Sequence, residues 1–127
     1  MILIKKLPYL VFALLFIQTA AFSQEIEDEA CAEPEDKKVL KLLKEAESTK
    51  NDSRERSMAY TDAIELAPEN AFIYYSFAKF NFKKAENVEA KFNRGHANFA
   101  QLSSAYKGAA KTYKKVIEYC PDFHSDV

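Results

Sequence analysis

Few of the 127 residues are of the types that usually carry chemistry. The chain has two histidines: His96 follows an Arg-Gly pair, and His124 lies near the carboxylates of Asp122 and Asp126. A metal site needs three or four converging ligands at fixed spacing. Neither histidine has such a set beside it in the sequence, so we expect no metal ion and no other cofactor.

The two cysteines suit a structural role better than a catalytic one. Neither Cys31 nor Cys120 is accompanied by a histidine and an acid in the pattern of an activated nucleophile. In an oxidising compartment the two could join as a disulfide. Cys120 also stands at a predicted helix end, before Pro121, where a small buried thiol is equally natural. The sequence leaves both alternatives open.

Carboxylates are plentiful, but their positions are typical of solvated helix faces. Pairs such as Glu45 with Glu47 and Glu86 with Glu89 lie on amphipathic segments. The chain also lacks the GxSxG, HExxH and CxxC motifs and any glycine-rich phosphate loop. We therefore expect a protein that is not an enzyme.

Composition narrows the fold class. Two glycines in 127 residues are far fewer than the usual ~7%. This argues against β-barrels, Rossmann folds and P-loops, because these need glycine at strained backbone positions. The formal net charge of −1 provides no basic footprint for nucleic acid. We expect one small domain of the all-α class.

Residues 1–23 are predicted to be a secretory signal peptide. Lys5 and Lys6 precede an apolar run, and Ala21 and Ser23 suit the −3 and −1 positions of a cleavage site. A membrane-spanning helix needs ~20 apolar residues, roughly twice the length of this run. We therefore expect cleavage, no transmembrane span afterwards, and export to the periplasm, to the outer membrane or out of the cell.

Residues 24–34 are acidic and short of apolar side chains, which predicts a flexible leader. Four residues, three of them acidic, immediately precede Cys31. A lipid-modified cysteine would instead follow the apolar region directly, so we expect no lipid anchor at Cys31.

A helical period of apolar residues begins after Pro34 and continues to Pro121. Asn87, Asn93, Gly95 and Asn98 weaken a helix within residues 86–104. The sequence leaves the structure of that stretch open. We expect four or five helices, at 35–49, at 53–67, from after Asn70 to a point between Asn81 and Ala85, and at 104–119, followed by a tail at 123–127.

Two of these helices end in the same pattern: an aromatic residue, a small or β-branched residue three positions later, and a proline five positions after that. The matching residues are Tyr60, Ala63 and Pro68 in one helix and Tyr113, Val116 and Pro121 in the other. In this pattern the chain resembles the second-helix ending of a tetratricopeptide (TPR) repeat. Tyr74, Phe77 and Ala78 resemble the large, large and small positions of a TPR first helix. The resemblance implies a helix-turn-helix solenoid of about two degenerate repeats over residues 35–122.

The chain departs from the TPR pattern in spacing and at two positions. Pro68 and Pro121 are 53 residues apart, whereas a TPR repeat has 34. About 19 extra residues are therefore expected, within 86–104. Lys44 and Arg56 stand where the family has small residues.

A second resemblance concerns location and function. An exported chain with a leader cysteine, degenerate TPR units and the ending at 116–127 resembles the N-terminal TPR segment of larger Gram-negative envelope proteins, which carry a β-propeller and an OmpA-like domain. This resemblance implies a protein-protein interaction module of the bacterial cell envelope. The alternative is a truncated structural or assembly segment of an OmpA-type peptidoglycan-associated protein or of a type IX secretion and gliding protein.

Six aromatic residues within eleven positions are the most distinctive local feature. They are Phe72, Tyr74, Tyr75, Phe77, Phe80 and Phe82. They either pack against neighbouring helices or form an interface, for which exposed aromatic patches are typical. Nearby lysines favour an acidic peptide, and self-association is a further alternative. From the TPR resemblance, a protein or peptide partner would bind around Tyr74, Tyr75, Lys79, Phe82 and Lys83.

Overall fold

The computed structural model describes residues 29–123, and all regular structure in that range is helical, without a strand. The predicted all-α class is therefore confirmed. The predicted signal peptide, the first part of the leader and His124 lie outside the described residues. A helical turn at residues 29–31 precedes four longer helices. These are α1 (Lys37–Glu47), α2 (Ser53–Leu66), α3 (Ala71–Asn93) and α4 (Phe99–Tyr119).

Each of the four helices begins at an aspartate or asparagine whose side chain accepts a hydrogen bond from the first turn. In α2 and α4 a capping box is completed by Glu55 and Gln101, whose side chains accept from the backbone N–H of the cap residue. Because these contacts join residues two or three positions apart, the local sequence determines where each helix starts. The cap residues are Asp36, Asp52, Asn70 and Asn98.

The helices associate as two hairpins. α1 pairs with α2, α3 pairs with α4, and α3 also packs against α2. The main core lies between α1, α2 and the first half of α3, where Val39 and Ile73 are almost completely buried. Ala46 and Ala63 lie in the same core and are fully buried, which allows the helices to approach closely.

The α3–α4 hairpin is longer than predicted. α3 continues to Asn93 instead of ending between Asn81 and Ala85, and α4 begins at Phe99 rather than near Ser104. The extra residues between the two helix endings therefore lengthen both helices of the hairpin, and only the short turn at 94–98 separates them.

Packing and local caps explain this extension. Ala85 is completely buried as α3 packs along α4, and that burial offsets the weak helix propensity of Asn87. Gly95 ends α3 because it takes a positive φ of 76° while its N–H donates to the Phe92 carbonyl at 2.9 Å. Asn98 then starts α4 through its capping box.

The endings of α2 and α4, which share a sequence pattern, also share a backbone conformation. Ala67 has φ −139° and ψ 73°, and Cys120 has φ −142° and ψ 88°. In each case the residue's N–H donates to the carbonyl four positions earlier, Ala63 at 3.0 Å and Val116 at 2.9 Å. The repeated sequence therefore encodes a repeated helix ending.

A disulfide joins the leader to the end of α4. Cys31 and Cys120 are bonded, with their Cα atoms 5.4 Å apart, and Cys120 is buried beside Ala71 and Val116. The Asn70 side-chain amide also donates to the Ala32 carbonyl at 2.9 Å. Residues 29–32, which the sequence placed in a flexible leader, are thus held against the helices.

Candidate functional site

A groove of about 420 Å³ opens between the α1–α2 hairpin and the middle of α3. Its floor includes the aromatic rings of Tyr60 and Phe80, and Glu47 is the one carboxylate among its lining residues. We call this surface the basic groove, because four cationic side chains line it. They are Arg56, Lys79, Lys83 and Lys84.

Arg56 ties the two hairpins together at the groove. Its Nε donates to the Ala46 carbonyl at 2.7 Å, near the end of α1. Its guanidinium carbon lies 4.7 Å from the centre of the Phe80 ring on α3. The residue that departs from the TPR pattern therefore spans three helices, where a small residue would leave the α1 carbonyl without this donor.

The groove carries a net positive charge, because four cationic side chains and one carboxylate line it. Lys84 Nζ lies 5.5 Å from the same Phe80 ring that Arg56 covers. Among the described residues, neither Arg56, Lys79 nor Lys84 forms an ion pair. Lys83 pairs with Glu86 at 3.2 Å, but this exposed pair leaves most of the lysine accessible to a ligand. The arrangement attracts an anionic group.

Tyr60 supplies a neutral phenol to the floor. It is 3% exposed and stacks on Phe77 with ring centres 5.1 Å apart. Burial, aided by the negative charge of Glu47 and opposed by Arg56, raises the pKa of Tyr60 to about 12. The hydroxyl therefore keeps its proton to a higher pH than an exposed tyrosine does.

The structure places only two of the five predicted partner-binding residues, Lys79 and Lys83, in the groove. Tyr74 packs elsewhere, with its ring 5.4 Å from that of Tyr119 and its hydroxyl donating to the Pro68 carbonyl at 3.1 Å. These contacts are internal, so the packing interpretation of the aromatic cluster applies to Tyr74.

Tyr75 and Phe82 lie on the side of α3 that faces α4. The Tyr75 ring centre is 5.2 Å from that of Phe123 and 6.3 Å from that of Tyr113. Phe82 remains 42% exposed and meets the Tyr106 ring edge-on at 5.8 Å. Neither residue lines the basic groove, so the predicted set divides between two surfaces.

Sequence reasoning did not assign Arg56 and Tyr60 to the site. Arg56 was recognised as a departure from the TPR pattern, and Tyr60 as part of a helix ending. The sequence did contain one signal. Arg56 is a large cation where the TPR pattern has a small residue, and it stands four positions before Tyr60, the aromatic residue of the helix-ending pattern.

Other surfaces of the described region offer less chemistry. A second groove, of about 690 Å³, lies between α3 and α4 and is lined largely by small and uncharged residues, such as Ser104, Ala105 and Gly108. Within residues 29–123, no cluster of three or more histidine, cysteine or acidic side chains is placed to hold a metal ion. No helix of this range has the length and apolar character needed to cross a membrane.

Comparisons of the chain with protein-family models, with curated proteins and with solved structures find no match. Function is therefore inferred from the geometry of this chain.

Proposed function

We propose that the chain is a non-catalytic, exported interaction module of the bacterial cell envelope, with a TPR-like architecture. It binds an acidic peptide segment of a partner protein in the basic groove. One observation carries this proposal: Arg56 and Lys84 lie over the Phe80 ring, Lys79 also lines the groove, and none of the three has a carboxylate partner among the described residues.

The TPR-like part of the proposal is supported by the paired helices and their repeated endings. Ala63 and Ala78, which the resemblance places at small positions, are both buried. Lys44 is exposed, so the first repeat tolerates a long side chain there. The greater length of the α3–α4 hairpin is a departure from a standard repeat.

Acidic peptides suit the groove on chemical grounds. Charge-assisted hydrogen bonds from arginine and lysine to carboxylates are stronger than those between neutral groups. The rings of Tyr60 and Phe80 offer an apolar floor for an adjacent side chain, and pockets of a few hundred Å³ commonly hold such groups. The disulfide agrees with export, because such bonds persist in oxidising compartments.

Fluorescence anisotropy tests this function with a labelled peptide of glutamates around one leucine, and with the same peptide carrying glutamines. We expect the glutamate peptide alone to bind, and Lys79→Gln or Lys84→Gln to weaken it about 5- to 10-fold each. Lys41→Gln, an exposed change on α1, is the matched control. Equal binding of the glutamine peptide, or an equal loss in the control, would refute the groove as the site.

The second candidate function is that of an assembly segment of a larger envelope structure, of the OmpA-type or type IX secretion kind. Exposed apolar side chains on α4 favour it. Ile117 is 63% exposed and Phe99 is 72% exposed. Light scattering over a concentration range tests this second function. The solution mass of a self-assembling segment rises with concentration, whereas the mass of a module for foreign peptides stays constant.

A further inference from the structure

We propose that the outer face of α4 is a docking surface for an amphipathic helix of another protein, one whose apolar stripe is bordered by acidic residues. This face shares no residue with the basic groove, so it extends the proposed function to a second, independent contact. We call it the α4 seam. It consists of Phe99, Tyr106, Ala110, Tyr113 and Ile117.

The spacing of the seam is that of a helix-packing stripe. Its members recur at intervals of seven, four, three and four residues, which aligns them along one face of α4. Phe82 of α3, in contact with Tyr106, widens the same apolar surface. Ala110, at the middle, leaves room for a second helix to approach closely.

The first hairpin shows what kind of group covers the equivalent surface. Tyr60, which matches Tyr113 in the repeated helix ending, is buried under Phe77 and Phe80 of α3. Ile64, which matches Ile117, is partly buried against the main core, whereas Ile117 is mostly exposed. In the second hairpin Tyr113 meets the Tyr75 ring edge-on at 6.3 Å, but within residues 29–123 no helix follows α4 to pack over it as α3 packs over α2. The position therefore suits a helix with large apolar residues at intervals of three and four.

Charge on the exposed side of the seam selects the occupant. On the side of α3, the Tyr106 hydroxyl already donates to the Glu89 carboxylate. Lys107, Lys111 and Lys114 form an exposed row along one side of the seam. None of them forms an ion pair within residues 29–123; on α4, the neighbouring Lys115 pairs with Glu118 at 3.1 Å. Two α4 seams packed together would bring two lysine rows to one interface, and like charges there disfavour association. A helix edged with glutamate or aspartate would instead complement the row.

The direct test uses designed helical peptides and the disulfide-bonded chain. One peptide carries leucines at i, i+3, i+7 and i+10 with flanking glutamates, and a second carries the same leucines with flanking lysines. A third keeps the glutamates but replaces the leucines with serines. In an anisotropy titration we expect the first peptide to bind about tenfold more tightly than either of the others.

Variants locate the contact. Ile117→Ser should weaken the glutamate-flanked helix at least tenfold and Lys111→Gln about threefold, while Met58→Ser, an equally exposed apolar position on α2, should leave binding unchanged. Because the basic groove also attracts glutamates, the loss caused by Ile117→Ser is measured again in a Lys79→Gln background. The same loss there separates this surface from the basic groove. Both the Ile117 and the Met58 side chains are more than half exposed, so neither change should prevent folding.

Three results would overturn the proposal. Equal binding of the lysine-flanked helix would remove the charge argument. Absence of binding by the glutamate-flanked helix at millimolar concentration would show that the α4 seam is not a docking surface. A dimer that Ile117→Ser dissociates would identify a second copy as the occupant.

Discussion

Loss of the Cys31–Cys120 disulfide should remove about 4–5 kcal/mol from the free energy of unfolding. The bridge joins residues separated by 89 positions, and the magnitude follows from the loop-closure entropy that a cross-link of this length removes from the unfolded chain. Since small domains are stable by only ~5–15 kcal/mol in total, the bridge is a major part of the stability. The corresponding fall in melting temperature is roughly 15–30 °C for a domain of this size.

Urea unfolding of the oxidised chain and of the Cys31→Ser variant measures this loss. Cys31→Ser breaks the bridge but keeps the Cys120 side chain, which is 1% exposed, in the core. The difference therefore reports the cross-link with little contribution from a new cavity. The wild-type chain unfolded with a thiol reductant present is the second control and should match the variant.

A loss below about 1 kcal/mol in both experiments would contradict the entropy argument. It would mean that the unfolded chain keeps its two ends close without the bond. A loss in the variant but not in the reduced wild type would assign the effect to the serine side chain instead.

Three further predictions concern single side chains. Arg56→Ala should cost about 1–3 kcal/mol in urea unfolding, because the Ala46 carbonyl loses its donor and Phe80 its cation; a cost below ~0.5 kcal/mol would contradict the bridging role. An alkaline absorbance titration should show one tyrosine ionising near pH 12 that is missing in Tyr60→Phe. Because burial favours the neutral phenol, the contribution of Tyr60 to the free energy of unfolding is complete below pH 10 and is lost between pH 10 and 12. If the tyrosine that ionises at the highest pH is unchanged in Tyr60→Phe, the assignment is refuted. Asn98→Ala should cost about 1 kcal/mol by removing the capping box and should speed hydrogen exchange in the first turn of α4, leaving the first turn of α2 unchanged.

Local features of the fold were predictable from the sequence. The helix starts predicted near residues 53 and 70 agree with α2 and α3, which Asp52 and Asn70 cap, and Pro68 and Pro121 follow helix ends. These positions depend on side chains within four residues of the backbone they contact, so a short stretch of sequence contains the necessary information.

The extension of α3 could not be predicted, because it depends on a distant partner. Asn87 and Asn93 argue against a helix when only local propensity is considered. The burial of Ala85 along α4 outweighs them, and the position of α4 is not visible from the neighbouring sequence.

The candidate site was predicted in part for the same reason. Lys79 and Lys83 were predicted from the TPR resemblance of α3, and both line the groove. Arg56 and Tyr60 come from α2, so their place beside Phe80 depends on how the two hairpins meet. Tyr74 was predicted to bind a partner, but its ring stacks on that of Tyr119, near the end of α4.

The bond between Cys31 and Cys120 also has a mechanical consequence. All four helices lie inside the loop that it closes. Tension applied to the segments on either side of that loop passes through the sulfur-sulfur bond and bypasses the helices. The enclosed chain would otherwise extend by about 300 Å when pulled. A single-molecule pulling experiment should therefore record this unfolding step only after the bond is reduced.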